Sequence, residues 1–362
     1  MATDYQQRMI RAQKEMADQK VDILLLSSGA DLPYLTGYEA TPMERLTMLV
    51  LPAQGEPTLV IPQLEAPRVK DGPFRIRAWQ EAEDAVGLVA KMVNQGSRRI
   101  GVGDQLWSVF MVGLQQQLPG SLFTSATAVT RPLRIRKDAY EIAALREAAA
   151  ATDRVVLRLR DEPFSGRTEQ EMARLIAALT VEEGHDQATF WIVASGPNGA
   201  SPHHEPGGRM MERGDLVVVD FGGKIRRYGS DCTRTFSIGP PTQQQTEVHA
   251  AVLAAQQAAT AAVRPGVMAE SIDSIARTVI TEAGYGEYFI HRTGHGIGLD
   301  GHEHPYLVEG NSETLEPGMC FSIEPGIYLP GRFGVRIEDI VTVTSDGVEV
   351  LNQAERSLIV VG

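Results

Sequence analysis

Leu216-Val217-Val218-Val219-Asp220 and, a hundred residues on, Met319-Cys320-Phe321-Ser322-Ile323-Glu324 decide how this 362-residue chain is read. Each is an apolar run of strand length that ends on an acid. A buried strand that delivers an unpaired carboxylate to the interior is prohibitively costly unless something compensates the charge. Two further acids, Asp231 and Glu338, sharpen the point. If Asp220 and Asp231 face each other across a hairpin, its turn is centred between Ile225 and Arg226. If Glu324 and Glu338 do the same, theirs is centred on Gly331, in the strong turn sequence Leu329-Pro330-Gly331-Arg332. Residues opposed on antiparallel strands have Cβ atoms about 4.5–5.5 Å apart. Acids at that distance repel unless cations lie between them. Together with His295, these four carboxylates can hold two divalent ions about 3.5–4 Å apart.

The surrounding sequence repeats. Asp138 opens a long helix running to about residue 160, with Glu141 completing an Asp variant of the capping box. Thr168 with Glu171 and Thr242 with Gln245 open two more, and a fourth spans about 270–283. Met172, Leu175, Ile176 and Leu179 share one helix face, and Ile272, Ile275, Val279 and Ile280 follow the same spacing. Gly166 and Gly184 bracket the second helix as Gly266 and Gly284 bracket the fourth, an offset of 100. Glu212-Arg213-Gly214 leads to Asp220-Phe221-Gly222 as Glu316-Pro317-Gly318 leads to Glu324-Pro325-Gly326, now offset by 104. Each half is helix, helix, strand and acid-bearing hairpin. A pseudo-dyad relating the halves predicts one curved sheet backed by helices, with the metals between the halves.

Before this repeat, residues 4–18 read as a helix and 21–26 as a buried strand. Short helices and strands then alternate at 46–51, 58–61, 81–94, 99–102, 109–117 and 122–125, which predicts a small α/β domain over residues 1–128. Residues 127–137 read as a connector, and residues 138–362 as the chemical domain. The first domain has no glycine-rich nucleotide motif, since Gly101-Val102-Gly103 is too little.

Composition narrows the function. The chain carries 34 basic and 46 acidic side chains, a net charge of −12, with no basic block, which argues against nucleic acid. Its longest apolar run is far too short to cross a bilayer, and no signal peptide opens it. Cys232 and Cys320 both fall in expected core strands and form no disulfide framework. A cytoplasmic protein is expected.

Asp220-Phe221-Gly222-Gly223, Ser230-Asp231-Cys232-Thr233-Arg234-Thr235, His291-Arg292-Thr293-Gly294-His295-Gly296-Ile297-Gly298, Glu324-Pro325-Gly326 and Gly334-Val335-Arg336-Ile337-Glu338-Asp339 stand in this order. This succession resembles the proline-specific pita-bread metallopeptidases, the Xaa-Pro dipeptidases (prolidases) and aminopeptidase P, over about residues 138–360. The first domain resembles the creatinase-type domain that precedes the catalytic one. The resemblance implies an α+β pita-bread domain with an internal pseudo-two-fold repeat, after a smaller α/β creatinase-type domain. It implies a dinuclear site with Asp220 and Asp231 on one ion, His295 and Glu324 on the other, and Asp231 and Glu338 bridging. Manganese suits an oxygen-rich set with one imidazole, and the same ligands accept cobalt or zinc.

By the same resemblance a metal-bridged hydroxide attacks the Xaa-Pro bond, Glu324 moves the proton, and His291 and His302 stabilise the developing oxyanion. His203, with His204 as the alternative, fits the substrate-binding histidine. His302 also contacts substrate, and Arg336 holds either substrate or a ligating carboxylate. His185, His249 and His304 are expected to be surface or packing residues. Some prolidases clamp the proline carboxylate with an arginine between the equivalents of His302 and Glu324, and this chain has none there. His203, Arg336, the N-terminal domain or a partner subunit must then supply the clamp. The expected substrate is a small peptide with proline second, and the expected assembly a homodimer. An Xaa-Pro dipeptidase is the leading expectation. Aminopeptidase P activity on longer peptides is the alternative, and a metal-free scaffold of the same fold the remote one.

Overall fold

The computed structural model describes residues 3–93 and 98–362. The chain divides into two compact units, one through Arg134 and one from Ile135.

The first unit opens with α1 (Tyr5–Asp18), whose first turn is capped by Asp4 accepting from the Gln7 backbone at 3.0 Å. There follow β1 (Ile23–Leu26), α2 (Asp31–Thr36), β2 (Met48–Pro52), β3 (Thr58–Pro62), β4 (Arg75–Trp79), α3 (Ala85–Val93), β5 (Arg99–Val102), α4 (Ser108–Gln117), β6 (Leu122–Ser125) and α5 (Thr127–Arg134). The expected helix over 81–94 starts later, and its last residue lies outside the described ones. The strands form one mixed sheet in the order β4-β3-β2-β1-β5-β6, antiparallel at β1–β2 and β2–β3 and parallel elsewhere. The expected connector is a correction: α5 occupies most of it, tolerating Pro132 inside the helix because Val129, Thr130 and Leu133 bury one face. Two short elements, α2 and β4, carry too few periodic positions to stand out in the sequence.

The second unit runs α6 (Ala139–Leu159), α7 (Glu169–Glu182), β7 (Gln187–Ser195), β8 (Leu216–Ile225), β9 (Tyr228–Gly229), β10 (Cys232–Ile238), α8 (Gln243–Ala262), α9 (Ala269–Glu282), β11 (Gly294–Gly296), β12 (Glu303–Leu307), β13 (Cys320–Ile323), β14 (Gly326–Leu329), β15 (Phe333–Arg336), β16 (Asp339–Val343), β17 (Val348–Val350) and β18 (Ile359–Val361). All three capping boxes form, each with its reciprocal pair of hydrogen bonds.

The repeat is present in backbone contacts. Gly166 donates to Met211 and Glu169 to Arg209, while Gly266 donates to Leu315 and Ala269 to Glu313. Offsets of 100 on the helix side and 104 on the strand side are those of the sequence. Each half has its own core. Met172 and Ile176 of α7 pack with Val217, Val219 and Phe236, and Ile272, Ala276 and Ile280 of α9 pack with Val252, Phe321 and Val341. Ile275 and Val279 are only half-buried, because a face repeating every fourth residue carries the contact instead.

The single curved sheet is corrected to three hydrogen-bonded groups: β18-β10-β8-β7 with β9 on β8, β12-β11-β13-β16-β17, and the ribbon β14-β15. The break falls where Glu324-Pro325 faces Ile337-Glu338, since proline has no N–H for a ladder. Pairing resumes in the same register, with Ile323 opposite Asp339 and Gly326 opposite Arg336. Glu324 therefore does oppose Glu338 across a hairpin centred on Gly331. The other hairpin is shifted by one residue from expectation. Arg226 and Arg227 form its two-residue turn, both at positive φ (51° and 73°), and Asp220 pairs with Thr233. Asp231 is two residues before Thr233, so the two acids share a face diagonally instead of directly. Nor does Asp220 end its strand, which continues to Ile225.

A Cβ on Gly294 would meet the Ser322 carbonyl oxygen at 1.9 Å, whereas one on Gly331 (φ +71°) meets nothing within 4 Å. Gly294→Ala should cost about 2 kcal/mol or more, because β11 must move off β13. Gly331→Ala should cost about 1–2 kcal/mol, from backbone strain alone. Chemical denaturation of both variants checks the order.

Candidate metal centre

Asp220 on β8, Asp231 before β10, His295 on β11 and Glu324 and Glu338 in the gap of the second hairpin converge on one cavity of about 490 Å³. Ligand atoms of Asp220, Asp231 and Glu338 lie within 4.8 Å of one another, as do those of His295, Glu324 and Glu338. His302 joins Asp231 and His295 in a third such group, its ring stacked on His295 at 3.7 Å.

Each donor is oriented by a partner behind it. His295 Nδ1 donates to its neighbour's carbonyl, Gly296 O, at 3.1 Å, which leaves Nε2 facing Glu324 Oε1 at 3.3 Å and Asp231 Oδ2 at 3.6 Å. The Ser322 hydroxyl accepts from the His295 backbone N–H and donates to Glu324 Oε1. Thr233 donates to Glu338 Oε2 at 2.7 Å. Arg336 donates to Asp220 Oδ2 at 2.7 Å, to Thr233 and to the Tyr328 hydroxyl. These bonds leave Asp220 Oδ1 and Glu338 Oε1 buried with no hydrogen-bond partner among the described residues. Two orphaned carboxylate oxygens in one cluster fit cations as their missing partners.

The profile of metallopeptidase family M24 matches residues 143–345 of this chain, and that of the creatinase/prolidase N-terminal domain matches residues 8–136. The chain belongs to metallopeptidase family M24. It is 47% identical to a probable dipeptidase PepE of Mycobacterium tuberculosis over 99% of this chain and 96% of that protein. To an Xaa-Pro dipeptidase of Lactobacillus helveticus it is 36% identical over 96% and 97%. The crystal structure of a recombinant prolidase from Thermococcus sibiricus superposes with a TM-score of 0.97 at 37% identity, covering 99% and 100% of the two chains.

Around the M24 cluster stand the other expected residues. His203 and His302 line the cavity. His204 does not: its Nε2 bonds Glu169 at 2.8 Å, and Glu169 also accepts from Ser195, Asn198 and Gly207. That buried glutamate fixes the loop presenting His203. The His291 ring is committed on both sides. Nδ1 lies 2.7 Å from Arg292 O, and a carbonyl can only accept, so Nε2 must accept from the Tyr328 hydroxyl at 2.8 Å. The neutral ring thus has no N–H left for a substrate oxygen in this arrangement. Arg336, by its bonds to Asp220, Thr233 and Tyr328, acts on a carboxylate of the cluster. Tyr328 escaped sequence reasoning, although strand parity places it on the face of Glu324. His185, expected at the surface or in packing, is buried and bonds Ser230, next to Asp231, at 2.8 Å. Gln256, Arg234 and Arg356 hold Asp339 beside Glu338. Among the described residues no helix is long and apolar enough to cross a membrane.

Burial first, then mutual repulsion, pushes the acids up: Asp231 and Glu338 well above the usual carboxylate range, and Glu324 to about 7. Burial holds His295 down at about 3 and His291 at about 4, so both rings are neutral. A carboxyl whose folded-state pKa exceeds its unfolded value contributes stability at low pH, and loses it as pH rises through the folded value. In metal-free protein, the stability of wild type relative to Glu324→Gln should therefore fall between about pH 4.5 and pH 7. The fall should be on the order of 3 kcal/mol. Denaturant midpoints measured in chelator across that range test it, and a constant difference would contradict the placement of Glu324.

Proposed function

We propose that this M24 chain is a dinuclear-metal peptidase that hydrolyses the Xaa-Pro bond of dipeptides. The observation that carries this is the convergence of four carboxylates and one neutral imidazole on a single cavity, with two carboxylate oxygens left unpartnered. Asp220 and Asp231 would hold one divalent ion and His295 and Glu324 the other, with Asp231 and Glu338 shared. The oxygen-rich donor set favours manganese. Bound there, such ions supply Lewis-acid polarisation of the scissile carbonyl and acidify water.

The chain's own residues supply the rest. Glu324, with Ser322 on one oxygen, is the carboxyl group placed to take a proton and return it to the proline nitrogen, which cannot leave unprotonated. His302 accepts at Nδ1 from Arg292, so its Nε2–H is the donor available to a developing oxyanion. His291 acts through Tyr328 and Arg336 to hold the Asp220 carboxylate in place. Phe190 and Ile192 give the cavity an apolar wall against which a proline ring or an apolar Xaa side chain fits. His203 faces substrate across the cavity.

Aminopeptidase P activity is the second reading, favoured by the lack of any arginine between His302 and Glu324. Purified enzyme with added manganese should cleave Ala-Pro at least tenfold faster than Ala-Pro-Ala, and a chelator should abolish the activity. Rapid cleavage of the tripeptide with an idle dipeptide would assign the second reading instead.

A further inference from the structure

We infer that Arg292 is the group that binds the substrate's C-terminal carboxylate and so sets the preference for dipeptides. The inference rests on the Xaa-Pro dipeptidase reading and supplies the anion clamp which the sequence lacks at its expected place.

The argument is one of charge within the cavity. Its arginines are Arg292 and Arg336. Arg336 is buried and neutralised by Asp220 at 2.7 Å, and its remaining donors reach Thr233, Tyr328 and the Pro202 carbonyl. Of its five N–H groups a single Nη2–H is left over, too few for the paired hydrogen bonds by which a guanidinium grips a carboxylate. Arg292 is different. It is half-exposed, and among the described residues it forms no ion pair with any carboxylate. Among the described residues the one hydrogen bond of its side chain is from Nη2 to His302 Nδ1 at 3.2 Å, and its guanidinium lies 4.3 Å from the centre of the Tyr306 ring.

This is the arrangement of a pre-set anion receptor. The Tyr306 face holds the guanidinium by cation–π attraction without consuming its N–H groups. A planar fork held flat can bind a carboxylate through two parallel hydrogen bonds, which a lysine cannot reproduce. Location agrees. Arg292 bonds the same His302 whose ring lies on His295, so the guanidinium is one side chain removed from the metal cluster. In an Xaa-Pro dipeptide the carboxylate carbon is three bonds from the scissile carbonyl carbon, so a group bound at one end must lie close to the other. Tyr306 also stands in the stretch between His302 and Glu324, which contains no arginine. An aromatic ring there recruits a cation from the neighbouring strand segment.

The competing role for Arg292 is positional: by donating to His302 Nδ1 it fixes that ring's tautomer. The two roles separate with a substrate that lacks the carboxylate charge. Steady-state kinetics on Ala-Pro and on Ala-Pro amide, with manganese, should be compared for wild type, Arg292→Gln and Arg292→Lys. A carboxylate clamp predicts that wild type prefers the acid strongly. Arg292→Gln should lose about 10- to 100-fold in kcat/KM on Ala-Pro, mainly through KM, and far less on the amide. The acid-to-amide preference then shrinks at least tenfold, and Arg292→Lys restores only part of it. Equal losses on both substrates, or a wild type indifferent to the terminal charge, would overturn the inference while leaving Xaa-Pro hydrolysis intact. Wild type that cleaves neither Ala-Pro nor Ala-Pro-Ala would remove the dipeptidase reading, and the inference with it.

Discussion

Four carboxyl groups pressed together out of water are the constraint from which the second unit follows. Asp220, Asp231, Glu324 and Glu338 share a cavity in which the compensating cation bonded directly to one of them is Arg336. Without further positive charge the cluster relieves itself by holding protons, and this is why burial and repulsion push three of the four upward. Divalent ions resolve the same conflict differently, by neutralising the acids where they stand. A fold that merely needed stability would fill this space with apolar side chains, since buried charge rarely repays its desolvation.

Holding the acids against their repulsion requires stiff supports, and most of the polar groups buried nearby serve as such. Arg234 spends its donors on the carbonyls of Thr233, Glu338, Ala354 and Glu355 and on the Asp339 carboxylate, which ties β10 to the strand that follows Glu338. Asp273 on α9 accepts from the backbone and hydroxyl of Thr293, while Arg277 on the same helix donates to the carbonyls of Phe289 and His291. Glu169 on α7 does the corresponding work for Ser195 and the His203 loop. The two halves of the repeat thus use one device: a buried acid on the second helix grips the chain that lines the cavity.

Much of this was legible in the residues. Capping boxes at Asp138, Thr168 and Thr242 announce helix starts, because the hydrogen bonds that define them are local. The hairpin centred on Gly331 follows from its acids and its turn. The register of its partner lies one residue from where the acids alone would put it, because Lys224-Ile225-Arg226-Arg227 contains no glycine or asparagine to mark the two positive-φ positions. The division into separate sheets, the commitment of His291 to Tyr328 and the freedom of Arg292 depend on contacts distant in sequence. Spacing cannot reveal which of several nearby donors an acceptor takes. The N-terminal unit was readable as mixed α/β, yet α5 was hidden by its proline and identified only by the burial of one face.

The central claim is that these acids exist to hold a pair of cations. Its most direct measurement is the metal content of the purified chain after dialysis against manganese, by elemental analysis, alongside Glu338→Gln. Two ions per chain in the wild type, falling to one or none when the shared carboxylate is made neutral, is the predicted result. A wild type that retains no divalent ion, or a variant that retains both, would contradict it.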